Sequence, residues 1–507
     1  MFSSVYSATV SGVDGFCVVV EVDVSGGLPC LEIVGMPDTS VREAKHRVRS
    51  AVKNSDFEIP SRRITVNLAP AGLHKEGTQL DLAMAVSLLA ASRQIPLNSR
   101  IKEYGFLGEL ALDGSIRPVP GVLAMALALR ASGVKGVVIP LENQGEVAFL
   151  NEFDVLIGRT LAEVAGFLEG KRPLTPPVEA SWNLQAGDAH QVAYDQIKGQ
   201  HAAKRALEIA AAGEHNLLMV GPPGAGKSLL AKALPEIMPD LSQEEAVTVT
   251  KIHSIAGLLP SGFGLLKQRP FRSPHHTVTA AAMIGGGSYP KPGEITLAHR
   301  GVLFLDELPE FSPSIINALR QPLEDGVVNI TRAKGTYLFP CSILLAGAMN
   351  PCQCGFWGSS IQDCICTEYQ RRQYLSRVNG PLLDRIDICI QVQRVDVEDL
   401  TGTSSQECGA TVKQRVTTAR GLQRARLKGT SYLTNSEMGP KELSTLLSVS
   451  RSARKLLLDA YNRMGLSARA YYRVIRVAAS IADLALAARI EEEHVAEALS
   501  YRQRVFE

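Results

Sequence analysis

One stretch, HNLLMVGPPGAGKSLLAKAL (His215–Leu234), constrains the chain more than any other. Leu217 to Val220 form an apolar run that reads as a buried parallel strand, broken at Gly221 and followed at once by a helix-forming LLAKAL. Between strand and helix, Gly221, Pro222, Pro223, Gly224, Ala225, Gly226, Lys227 and Ser228 carry the spacing G-x-x-x-x-G-K-S. Glycines let successive backbone N–H groups curl around a phosphate, and the following helix turns its positive end to the same anion. Lys227 then reaches the β- and γ-phosphates, and the Ser228 hydroxyl takes a place on Mg²⁺. A strand–loop–helix of this kind demands an α/β layer architecture built on a parallel sheet, with ATP and Mg²⁺ as its ligands.

Further along, GVLFLDE ends a second apolar run in Asp306 and Glu307. A buried strand terminating in two acids delivers both carboxylates to the C-terminal edge of the sheet, where α/β ligands sit. Asp306 would hold Mg²⁺, chiefly through water, and Glu307 would orient and polarise the attacking water. A third run, Ser342–Ala348, leads to Asn350, whose amide can bond a γ-phosphate or that water. In GPLLDRIDI, Arg385 sits between acids. It reads either as an ion pair with Asp384 or Asp387, or as a finger that reaches a neighbouring subunit's nucleotide. Residues 401–507 read as helical, with 17 Lys or Arg against 10 Asp or Glu. There Ser467 is a plausible N-cap, and Arg469, Arg473 and Arg476 share one helix face, either a solvated basic face or a route to nucleotide.

The 507 residues carry a net charge of +2, so any nucleic-acid surface must be local. The N-terminus lacks a signal peptide's basic and apolar regions, and no apolar run reaches the length of a membrane span. Nine cysteines, odd in number and unevenly spread, argue against a secreted disulfide framework and for a cytoplasmic protein. Four of them, Cys352, Cys354, Cys364 and Cys366, form C-x-C-x₉-C-x-C after the Asn350 strand. They read either as a tetrahedral Zn²⁺ site, with an unusual C-x-C spacing, or as unligated thiols.

Residues 1–172 read as an α+β domain: strands at Ser4–Val10, Cys17–Val24, Leu31–Val34 and Ile64–Leu68, and helices at Ser40–Asn54 (basic outer face Arg42, Lys45, Arg47, Arg49), Leu80–Ala91 and Val122–Ala131. Residues 173–193, proline-rich, read as a linker, 194–400 as the nucleotide-binding core, and 401–507 as a helical lid. With GELALDGSIRPVPG and GVVIPLEN, the first domain resembles the Lon-protease-like domain of the ribosomal S5 second-domain fold. Gln79 falls where the dyad serine of an active Lon protease would be, and Met125 where its lysine would be. Neither can serve as nucleophile or base, which points to a scaffold without peptidase chemistry.

The blocks Arg272–Phe311 (RSPHHTVTAAAMIGGGSYPKPGEITLAHRGVLFLDELPEF), AGAMNPCQCG and GPLLDRIDI resemble the magnesium-chelatase-like AAA+ proteins of the ComM/YifB group almost end to end. The resemblance implies a P-loop AAA+ core with a helical lid, and a ring-forming ATPase, hexameric, that moves DNA and promotes branch migration in recombination and natural transformation. It assigns Asn350 as sensor 1, Arg385 as the arginine finger and Arg469, with Arg473 as fallback, as sensor 2. Asn329–Gly335 is similar to the pre-sensor-1 hairpin of MCM helicases, which puts Lys334, with Arg332 beside it, on DNA. Ser273–Gly293 reads as a glycine-rich insertion that forms a mobile loop responsive to nucleotide. The competing functions are a chelatase-like motor and a protein-remodelling chaperone or protease.

Overall fold

The computed structural model describes residues 1–178, 193–260, 262–287, 290–332, 335–358, 362–378, 380–395 and 407–502. Its first part is a seven-stranded sheet in the order Cys30–Val34, Arg63–Ala69, Asp14–Ser25, Phe2–Ser11, Tyr104–Phe106, Gly136–Pro140, Asp154–Gly158. The helix Asp81–Ala91 is apolar all round, and every one of its residues is buried against this sheet. Thr39–Asn54 is amphipathic and buries Val41, Ala44, Val48, Ala51 and Val52. Arg47 is not on its outer face as expected: its guanidinium binds Asp81 at 2.6 and 3.0 Å, because that buried carboxylate has to be paired. Gln79 is buried and donates to Thr9 Oγ1 at 3.0 Å and to the Glu76 carbonyl at 2.5 Å, while Met125 is wholly enclosed in the apolar core.

The second part is a five-stranded sheet in the order Phe271–Arg272, Val302–Leu305, Leu344–Met349, Leu217–Val220, Ile388–Gln391. All its pairings are parallel. Strands covered on both faces must be apolar throughout, and Leu217–Val220, Val302–Leu305 and Leu344–Met349 are buried at every position. The C-terminal helices share one hydrophobic core with this sheet: Leu217, Ala231 and Ala346 lie in the same cluster as Val412, Leu457 and Ala478. Ser467 caps Ala468–Leu484 by accepting from Ala470 N. Among the described residues no helix is long and apolar enough to cross a membrane.

The two parts touch through polar contacts. Glu146 accepts from Ser254 Oγ at 2.5 Å and from Asn143 Nδ2 at 2.8 Å, and Ser254 Oγ accepts the Gly121 N–H at 2.9 Å. Of the segment read as a linker, Thr175 still accepts a hydrogen bond from Ile157, and residues 179–192 lie outside the described ones.

Candidate nucleotide site

The apolar strand Leu217–Val220 ends at Gly221, where the backbones come so close that a Cβ would stand 2.1 Å from the Val392 carbonyl oxygen. Gly224 and Gly226 adopt φ of +75° and +86°, a left-handed turn that L side chains resist, and the helix Lys227–Ile237 starts directly after. The loop's N–H groups and the first turn of that helix therefore face one concavity.

Lys227 Nζ donates to Gly221 O at 2.6 Å, Pro222 O at 3.0 Å and Asn350 Oδ1 at 3.1 Å. Burial pushes its pKa down, opposed by Asp306 and Glu307. A buried cation satisfied by neutral oxygens, beside a cradle of N–H donors, fits a polyphosphate. Ser228 Oγ donates to Asp306 Oδ2 at 2.8 Å, so the hydroxyl and the carboxylate that would share Mg²⁺ already converge.

Glu307 follows with φ of +51°, a conformation costing roughly 1 kcal/mol for a residue with a Cβ, which turns its carboxylate out of the strand direction. Its Oε2 lies 3.5 Å from His276 Nδ1. His276 in turn packs against Phe311 and stacks near His275, with ring centroids 4.1 Å apart. Sequence reasoning assigned His276 no role, although two adjacent histidines in a segment without charge before Lys291 were a signal. That segment, expected as a loop, contains a helix at Ala280–Ile284, capped by Thr279, and a small hairpin pairing Gly285–Gly286 with Lys291–Pro292. Thr279 supplies the cap and Met283 the buried anchor that make a helix possible there.

Arg385 and Arg469 lie elsewhere. Asn216, at the N-terminal end of the strand Leu217–Val220 that leads into the phosphate loop, donates from Nδ2 to Arg385 O at 2.9 Å and from its backbone N to Asp387 Oδ2 at 3.1 Å. Arg385 thus stands at the end of the sheet opposite its own phosphate loop. Five residues of strand separate the two, roughly 16 Å, which an arginine side chain does not span. The Arg385 guanidinium binds Glu324 and donates from Nε to Arg320 O at 3.1 Å. Arg469 Nη2 reaches the same Glu324 at 3.5 Å. Arg473 Nε lies 3.6 Å from Asp387, and Arg473 and Arg476 are partly buried, so of the three only Arg469 stands out in solvent. Arg385, Arg469, Arg473 and Arg476 line one cleft of about 680 Å³ between sheet and lid.

The strands Val327–Arg332 and Gly335–Pro340 form an antiparallel hairpin with Arg332 opposite Gly335. Arg332 is exposed next to the tip, and Lys334 lies outside the described residues. The hairpin's base packs on the sheet through Val328, Ile330 and Phe339. A side chain at Gly286 would come within 3.4 Å of Arg332 Nη2, so the hairpin and the glycine segment lie side by side. The thiols of Cys352, Cys354, Cys364 and Cys366 are gathered within 4.8 Å of one another.

A phosphate cradle, two strand-end acids and a strand-end amide on one edge of a parallel sheet, with a helical C-terminal region packed on that sheet, define a P-loop protein of the AAA+ class. Residues 193–400 match the family described as magnesium chelatase, subunit ChlI, residues 20–143 the subunit ChlI of Mg-chelatase, and residues 406–502 the ChlI C-terminal region. The chain is 42% identical over 501 residues to the uncharacterized protein YifB of Escherichia coli, covering 99% of this chain and 97% of that one. It is 40% identical over 504 residues to the competence protein ComM of Haemophilus influenzae, with the same coverage. A shorter likeness, 32% over 116 residues, links 22% of the chain to 19% of Lon protease 2 of Bacillus subtilis. The chain belongs to the ComM/YifB family of magnesium-chelatase-like AAA+ proteins.

Proposed function

We propose that this protein is an ATP-driven, ring-forming DNA motor that promotes branch migration of joint molecules in homologous recombination and transformation. One observation carries the reading: Arg385 and Arg469 share a cleft at the end of the sheet remote from Lys227, so a nucleotide site needs a second copy of the chain to supply them. Repeated around an axis, that head-to-tail contact closes into a ring, here taken as a hexamer. The relative named a competence protein agrees with a task on incoming DNA.

Bound MgATP would supply the transferable phosphoryl group and the divalent charge that screens it. Lys227 and the N–H groups of Gly224, Ala225 and Gly226 would hold the phosphates, and Ser228 and Asp306 would hold the metal. Glu307 takes the proton of the attacking water at its carboxylate, with Asn350 orienting that water. His276 steadies Glu307 from the side. Arg385 and Arg469 place positive charge on the neighbour's site as negative charge moves to the leaving oxygen. Lys334 and Arg332, on the hairpin between the Asp306 and Asn350 strands, contact the DNA backbone by charge.

The test is ATP turnover of the purified chain with and without forked or three-stranded DNA, with Lys227→Ala as the blank. Strong stimulation by branched DNA, lost in Lys334→Ala and weakened in Arg332→Ala at intact nucleotide binding, is the expected result. Turnover indifferent to every DNA overturns the reading and moves the search to protein partners, where a chelatase-like or chaperone-like remodelling ATPase would lead.

A further inference from the structure

The four cysteines behind the Asn350 strand have no place in the nucleotide chemistry. Cys352 Sγ lies 3.3 Å from Cys354 Sγ and 3.7 Å from Cys364 Sγ, and Cys354 Sγ lies 3.6 Å from Cys364 Sγ. Cys366 completes the set, its sulfur accepting the Cys354 N–H at 3.4 Å. A disulfide would need about 2.05 Å, so these are four separate thiols. Around one Zn²⁺ with Zn–S bonds of about 2.3 Å, tetrahedral geometry puts neighbouring sulfurs about 3.8 Å apart, close to what is found. A two-iron cluster would spread its thiolate pairs well beyond the 4.8 Å that contains all four. Core packing does not account for the cluster either, because only Cys352 is buried and the other three are partly exposed. The Gly355 N–H donates to the Cys352 carbonyl at 3.0 Å, which closes a tight turn around the first two thiols.

The knuckle is built into the nucleotide site. Cys352 is two residues past Asn350, and the turn between the first two ligands and the helix is pressed on the phosphate loop: a Cβ at Gly355 would stand 2.7 Å from Pro223 Cδ. Directly after Cys366, Thr367 caps the helix Glu368–Ser376 with a capping box. That helix sends Tyr374 back into the core against the backbone of Asn350 and leads to Arg377, which pairs with Glu310 at 3.1 Å.

We infer that Cys352, Cys354, Cys364 and Cys366 bind one zinc ion as a tetrathiolate, and that this centre holds Asn350 in place against Lys227 and supports the phosphate loop at Pro223. The second half rests on the nucleotide reading proposed above; the first half does not.

Elemental analysis of the full-length chain, purified without a metal-affinity step, should find about one zinc and no iron per chain. Cobalt exchanged for zinc should show the intense sulfur-to-metal absorption of a tetrahedral thiolate site. Folded wild-type protein that stays zinc-free after growth in added zinc, with all four thiols reacting with Ellman's reagent, overturns the site; iron in place of zinc overturns the assignment. Cys364→Ser and Cys366→Ser should each lower zinc content, and the wild-type analysis stands even if they fail to fold. Lys227→Ala should keep its zinc, which separates failure of the nucleotide site from failure of the metal site. Zinc withdrawn from the wild-type by chelator under reducing conditions should weaken binding of a fluorescent ATP analogue about tenfold, the value of one hydrogen bond to a charged group. Unchanged affinity in protein that remains folded by circular dichroism refutes the supporting role.

Discussion

Glu214 ties the lid to the sheet, and its removal has a size that the structure sets. It follows the helix His201–Gly213 with φ of +56° and is enclosed by three guanidiniums. Arg420 of the lid helix Gly409–Arg426 lies at 2.9 Å, Arg269 at 3.6 Å and Arg300 at 3.9 Å. Burial alone would raise its carboxyl, but Arg420, Arg269 and Arg300 outweigh burial and hold it at about 2 against an ordinary 4.5. At about 1.4 kcal/mol per pH unit, that gap is worth about 3 kcal/mol of stability. Removing one partner of a buried ion pair gives the same scale, about 3–5 kcal/mol. Glu214→Gln keeps the shape and backbone while deleting the charge. Its urea midpoint at pH 7, followed by far-UV circular dichroism, should fall by about 1 M at a slope of about 3 kcal/mol/M. Because the folded-state pKa lies below the unfolded one, this stability is present above about pH 4.5 and is lost as pH falls toward about 2. The difference between wild type and variant should therefore shrink by about half at pH 3. Equal midpoints at pH 7, or a difference that stays constant into acid, would refute the charge-based account.

Three further outcomes are expected. Glu307→Gln should bind ATP normally and lose turnover by about two to four orders of magnitude, as removal of a general base does; a matching loss of nucleotide binding would show a different role. Arg385→Ala should cost on the order of a thousandfold in turnover, and mixing it with inactive Lys227→Ala chains should restore part of the activity, because each supplies what the other lacks. Mixtures as dead as their components would exclude an arginine delivered between subunits. His276→Ala should lower kcat about tenfold with nucleotide affinity unchanged, and unaltered kcat would make its 3.5 Å approach to Glu307 incidental.

Much of the site was legible because its parts are local. A strand ending in glycine, a lysine at the first turn of a helix and a strand ending in Asp–Glu each lie within a few residues. Backbone geometry then fixes where Lys227, Ser228, Asp306 and Asn350 point, and the observed bonds of Lys227 to Asn350 and of Ser228 to Asp306 join these pieces. Apolar runs such as Leu344–Met349 were legible for the same reason: a strand buried on both faces can be little else. What the sequence could not supply is a charged side chain's choice among distant partners. Arg47, read on an outer face, turns inward to Asp81, and Arg385 binds Glu324, 61 residues away in the chain.

The sequence by itself determined the groups available: a glycine-rich loop with its lysine and serine, a strand ending in Asp306 and Glu307, a strand-end Asn350 and four thiols within fifteen residues of chain. Only the tertiary structure decided where the arginines lie. Arg385 and Arg469 are far apart in sequence, and their meeting on Glu324 depends on how the lid helix crosses the N-terminal end of the sheet. That crossing is set by nonlocal packing of Val474, Val477 and Ala478 into the core shared with Leu217 and Ile388. No spacing rule encodes it, because burial is a property of the assembled surfaces and not of the order of residues along the chain.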